Sequence, residues 1–111
     1  MATAAAILGC AFPAFGYTLD DHELQIVRIG LGHGALIGQL KAVEHDAENA
    51  FVCGYANPKN ESGQYVGERI FYGLLRGRRD DAFKFVLFNV GSTPLDTKLT
   101  EDLCRERGIS F

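Results

Sequence analysis

The sequence predicts an α+β domain: an N-terminal helix, a four-stranded antiparallel meander, and a C-terminal helix packed on one face of the sheet. Three observations predict it. Apolar residues recur at helical spacing between Leu19 and Ile29. Four runs rich in apolar, β-branched and aromatic residues follow, each bounded by turn residues. A last segment opens with Thr93-Pro94-Leu95-Asp96 and carries leucines at four-residue spacing. Helices flanking consecutive hairpins are the pattern of α+β folds, and both helices are expected on the same face.

Each element has its own signals. Thr18, followed three residues later by Asp21, reads as a capping-box-like start for a helix from about Leu19 to Ile29. Gly30, Gly32 and Gly34 should stop it, since each glycine weakens a helix by roughly 1 kcal/mol against alanine. The run Gly30-Leu-Gly32-His-Gly34 is no phosphate loop, because that motif wants a strand before and a helix after. Here the order is reversed, and a flexible connector is expected.

Gln39–His45 should be a strand, with Leu40 and Ala42 on one face and Val43 on the other. Ala50–Ala56 reads as the central strand, because Phe51, Val52, Cys53, Tyr55 and Ala56 leave little room for solvent on either face. A third strand starts at Tyr65 or Glu68 and runs to Leu75. A fourth, Phe83–Val90, places Phe83, Phe85 and Leu87 on one face and Val86, Phe88 and Val90 on the other. Thr93 fits a helix N-cap and Pro94 the first helical position. Leu95, Leu99 and Leu103 form the expected apolar stripe, and Gly108 sits just past the end. Ile109 and Phe111 can then fold back onto the core.

Size and charge narrow the function classes. At 111 residues the chain makes one domain and not two. Its 47% apolar and 23% charged residues are the balance of a folded globular protein. The net charge of −3 argues against nucleic-acid binding, which wants a basic face. The cluster Arg76-Gly-Arg78-Arg79 is followed at once by Asp80 and Asp81 and reads as a solvated turn.

Residues 1–16 carry no charge, and Ala4–Phe12 is an apolar run. With small residues at Ala14 and Gly16, this looks like the h-region and cleavage site of a secretory signal, with residues 17–111 as a single domain. A spanning helix needs roughly 20 apolar residues, so no membrane span is expected. The basic n-region is missing. That leaves open an upstream start, a lipoprotein box at Ile7-Leu8-Gly9-Cys10 with Cys10 lipidated, and an ordinary buried N-terminal segment in a cytoplasmic protein.

Cleavage after Gly16 would remove Cys10 and leave Cys53 and Cys104. An even number in an exported domain favours one disulfide, and a helix packed across a strand can bring the pair into range. Two buried free thiols in a cytoplasmic protein are the rival. A catalytic Cys53 would need a base in reach, and no motif places His22, His33 or His45 beside it. No Cys-x-x-Cys or His-x-x-x-His pair exists, so neither a metal nor another cofactor is expected.

The densest polar set lies in the turn after Cys53. Asn57, Lys59, Asn60, Gln64 and Tyr65 offer amides, an ammonium and a phenol at a loop tip, where binding residues gather. The same residues also suit a purely structural turn, with the asparagines capping it and Gly63 and Gly67 supplying special dihedrals.

The stretch Cys53, Gly54, Asn57, Lys59, Asn60, Gly63, Tyr65 and Gly67 resembles a family of small exported bacterial proteins with the signature Cys-Gly-x-x-Asn-x-Lys-Asn-x-x-Gly-x-Tyr-x-Gly. The similarity extends over roughly Leu40–Gly108. It departs at Gly30–Ala35, where members carry a Lys-Asp-Pro-x-Ser-Ala-like stretch. The resemblance implies export and the cysteine pair, and supplies no reaction.

These readings converge on a non-catalytic, exported binding domain whose partner is a protein or a polar envelope ligand. No acid–base or nucleophile constellation stands out, since Glu44-His45-Asp46 and Asp21-His22 read as solvated surface. Two alternatives remain: a small envelope hydrolase or lyase using the Asn57–Tyr65 turn, and a cytoplasmic interaction domain with an uncleaved N-terminus.

Overall fold

The computed structural model describes residues 16–77 and 83–111. The expectations for residues 1–15, the secretory signal and the lipidated Cys10 among them, lie outside the described residues. So does the reading of Arg78–Asp81 as a solvated turn.

The described residues form an α+β fold with a five-stranded antiparallel sheet and two helices. In chain order the elements are β1 (Gly16–Tyr17), α1 (Asp21–Leu31), β2 (Leu36–Glu44), β3 (Ala50–Asn57), β4 (Arg69–Arg76), β5 (Lys84–Val90) and α2 (Pro94–Glu106). The sheet order is β1-β2-β3-β4-β5, a meander with β3 in the middle. The strand beyond the four expected is β1, where Gly16 pairs with Val43 and Tyr17 with Ala42. Two residues are too few to show a period, so the sequence pattern did not announce it.

The helices lie on opposite faces, which corrects the expectation of a shared face. Val27 of α1 packs with Ala42, Ala50, Val52, Ala56, Phe71, Leu75 and Phe85. Cys104 of α2 and the following Ile109 pack with Val43, Phe51, Cys53, Ile70 and Tyr72. The physical reason is β3 itself. Alternate residues of a strand point to opposite faces, and β3 is apolar on both, so each face requires a cover.

The cap of α1 also differs from the expected one. Asp20, not Thr18, is the N-cap: its Oδ1 accepts the Glu23 N–H at 2.8 Å, and Glu23 Oε1 accepts the Asp20 N–H at 3.0 Å. The sequence holds two overlapping cap patterns of the same spacing. The second prevails because Tyr17 is held in β1 and its hydroxyl donates to Glu23 Oε2, satisfying a carboxylate that is only 5% exposed. The helix then runs through Gly30 to Leu31 instead of stopping at Ile29. Gly30 is there for contact, since a Cβ on it would lie 2.7 Å from both the ring and the carbonyl oxygen of Phe85.

Strand β2 begins earlier than expected and carries an irregularity between Ile37 and Leu40. Strand β5 is also bulged. Tyr72 pairs with Asn89 but Gly73 pairs with Leu87, so Phe88 is the extra residue. The bulge turns Val90 onto the α1 face, against the expectation that it shares a face with Val86 and Phe88.

At α2 the expected cap holds: Thr93 Oγ1 accepts the Asp96 N–H at 3.1 Å, and Pro94 sits in the first turn. The expected leucine stripe does not. Leu95 is 77% and Leu99 48% exposed, whereas Thr100 and Cys104 are buried. The disulfide of Cys104 sets which side of the helix meets the sheet, and Thr100 follows it inward. Thr100 Oγ1 donates to Asp96 O at 2.7 Å and accepts from Asn89 Nδ2 at 2.6 Å, which removes the cost of burying a hydroxyl.

Candidate functional site

The turn after β3 is a short hairpin of its own. Its two asparagines build it. Asn57 Oδ1 accepts the Gly67 N–H at 2.8 Å and ties the two ends together. Asn60 Oδ1 accepts from the Ser62 and Gln64 N–H groups at 2.9 and 3.0 Å. Backbone bonds from Asn60 N to Gln64 O and from Val66 N to Pro58 O complete the ladder, and Lys59 pairs with Tyr65 across it. Gly63 and Gly67 take φ values of 80° and 106°, which side chains rarely allow.

Of the five expected site residues, Asn57 and Asn60 therefore have acceptor oxygens committed to the fold. The other three project from it. Lys59 Nζ lies 5.2 Å from the centre of the Tyr65 ring, within cation–π range. Tyr65 is 45% exposed, and its hydroxyl donates to Gly34 O at 3.2 Å. The Gln64 side chain is exposed.

Sequence reasoning missed the second half of this surface. The connector between α1 and β2 comes up against the turn, and a Cβ on Gly34 would sit 3.2 Å from Lys59 Cδ, Cε and Nζ. Lys59 thus lies between an aromatic ring and a bare stretch of backbone. The missing side chain at Gly34 was the available signal, and nothing local tied it to a lysine 25 positions later in the chain.

The cysteines meet as expected. Cys53 and Cys104 form a disulfide, with α-carbons 6.2 Å apart. Gly54, next to Cys53, lets β2 approach closely, since a Cβ there would be 2.5 Å from Gln39 O. Cys53, Gly54, Asn57, Asn60, Gly63 and Gly67 thus serve the core bond, the strand pairing and the turn.

The histidines are spread out. The His22 ring lies 5.5 Å from that of Phe83, and the His45 ring 5.1 Å from that of Phe51. Asp46 organises the β2–β3 turn: its Oδ1 accepts from the Glu48 and Asn49 N–H groups, and both carboxylate oxygens accept from Asn49 Nδ2. These bonds, the Asn49 side chain first, hold its carboxyl below the ordinary aspartate value. Among the described residues no three His, Cys, Asp or Glu side chains cluster to hold a metal ion, and no helix is long and apolar enough to cross a membrane.

A cavity of about 460 Å³ lies elsewhere, at the outer edge of β2 where β1 ends, with Tyr17, Leu24, Leu40, Lys41 and Ile109 in its wall. None of the five turn residues lines it. No protein-family model, curated protein or solved structure matches the chain.

Proposed function

We propose that this chain is a small exported interaction domain that binds a protein or polar ligand through Lys59, Gln64 and Tyr65. The observation that carries the reading is the division of labour in the turn. Asn57 and Asn60 are spent on holding it rigid, while Lys59 and Tyr65 stand on it as a preformed pair. A pre-ordered ammonium and phenol lose little freedom on binding, which favours recognition. The buried Cys53–Cys104 bond supports the compartment, because such bonds persist where the surroundings are oxidising. The resemblance to small exported proteins points the same way.

Binding is tested with Lys59→Ala and Tyr65→Ala combined, using the protein's own host envelope extract and a defined interactor recovered from it. The variant should lose capture of that interactor and keep its melting temperature. Undiminished capture removes the turn from the reading. Compartment is tested by intact mass of the protein from its host, with and without reductant and alkylation. A chain starting at Tyr17 that takes up two alkyl groups only after reduction is expected. A full-length chain with freely alkylated thiols rejects export.

A further inference from the structure

The described residues cover only part of the face of the sheet that carries α2. The helix crosses it diagonally, from Gly91, where Thr97 meets the strand end, past Asn89 at Thr100 to Cys53 at Cys104. Just beyond its end, Arg107 stacks on Phe51 at 4.1 Å and donates from Nε to the Tyr72 hydroxyl at 3.0 Å. Beside this diagonal lies a corner of β4 and β5. Leu74 and Val86 pair there and are half-buried, and Phe88 is 50% exposed with its ring against Tyr72. Leu103 of α2 borders the corner, packing in the same cluster as Leu74, and Leu99, one turn earlier on the same side of the helix, is half exposed.

Cations frame the corner. Arg76 and Lys84 pair directly across the strands, two residues on from Leu74 and Val86 and so on the same face. Arg107 stands at the opposite side. All three are exposed. The chain as a whole carries −3, so this cationic frame is local. On α2, Asp102 is engaged by Lys98 and Arg105, and Glu106, three residues after Leu103 on the same side of the helix, is an exposed carboxylate next to Arg107 in sequence that tempers the cationic frame.

The geometry points to this corner as a docking site for an acidic amphipathic helix of a partner protein. An apolar floor with cationic edges complements a helix with one apolar face and flanking carboxylates. The shape is also a helix's shape. A helix about 10 Å across stands on the sheet beside the corner and makes a step, against which a second helix can lie. A flat lipid surface does not fit a step. The site lies toward the opposite end of β3 and β4 from the Asn57–Tyr65 turn, so it stands or falls independently of that turn.

The test is selection from a random-peptide display library on the full chain with its disulfide intact. Enriched sequences should carry apolar residues at helical spacing flanked by Asp and Glu. A synthetic copy should shift the amide signals of Leu74, Val86, Phe88 and Leu99. Its affinity should fall about tenfold in Arg76→Glu/Lys84→Glu and also fall with added salt. Phe88→Glu should abolish binding, and Leu99→Glu repeats the test if the Phe88 variant melts early. The inference fails if nothing is enriched, if enriched peptides are basic or shift the 57–67 turn instead, or if the charge variant binds equally well. It also fails if anionic phospholipid vesicles bind through Phe88 while peptides do not, or if sedimentation shows a dimer that Phe88→Glu dissociates.

Discussion

Cys53 on the central strand and Cys104 near the end of α2 are bonded across the sheet–helix interface, each almost wholly removed from solvent. The bond fixes the helix's position and its rotation, since it draws Cys104 and Thr100 inward and leaves Leu95 and Leu99 outside. It closes a sequence separation of 51 residues, which in the chain-entropy treatment stabilises the fold by about 4 kcal/mol. That is a large share of the stability of a domain this size. Replacing both cysteines by alanine should lower the unfolding free energy by about that amount in urea titration. The same loss should appear in the native chain on adding reductant. An unfolding midpoint insensitive to reductant would show that the bond does not carry this stability.

The cap of α1 gives a comparison between neighbours. Asp20→Ala should cost about 1 kcal/mol, because the Glu23 N–H loses its acceptor. Thr18→Ala should change stability by less than about 0.5 kcal/mol, as expected for an exposed residue outside the cap. Thermal melts of the two variants decide it, and a larger effect at Thr18 would return the cap to the position the sequence suggested.

Asp46 gives a pH dependence with a definite sign. Its carboxyl lies below the ordinary value in the folded chain, so it contributes stability above the unfolded pKa. That contribution is lost as pH falls through the lowered folded value. Asn49→Ala removes the largest cause and should move the Asp46 midpoint upward in a carboxyl-resolved NMR titration. An unmoved midpoint would rule out the Asn49 amide as the cause.

Much of the fold was legible because the strands announce themselves by period and the last helix by its cap. Ile70, Tyr72 and Leu74 do alternate with Phe71 and Leu75, and Thr93-Pro94 does open α2. The losses have particular reasons. A bulge is a one-residue event, so nothing before Phe88 says that Val90 will change face. The leucine spacing of α2 is a true helical period, but a period does not say which side meets the sheet, and the disulfide overrode it. The candidate turn was legible as a turn from Pro58, the asparagines and the glycines. That its asparagines are consumed by the turn, and that Gly34 closes on Lys59, are long-range facts that no local pattern encodes.

Gly30 isolates packing from propensity. In a helix interior alanine is favoured over glycine by about 1 kcal/mol, so propensity alone predicts that Gly30→Ala stabilises. Here the added methyl would lie 2.7 Å from both Phe85 Cδ2 and Phe85 O. A flexible ring can yield, but the carbonyl belongs to the backbone of β5, which cannot shift without disturbing its pairing with β4. Overpacking of this kind costs about 1–3 kcal/mol, which outweighs the propensity gain. Gly30→Ala should therefore lower the melting temperature. In a Phe85→Leu background the penalty should shrink and still persist, because the carbonyl remains. A stabilised single variant would mean that α1 stands farther from β5 than these distances require. An undiminished penalty in the Phe85→Leu background would place the whole clash on the backbone.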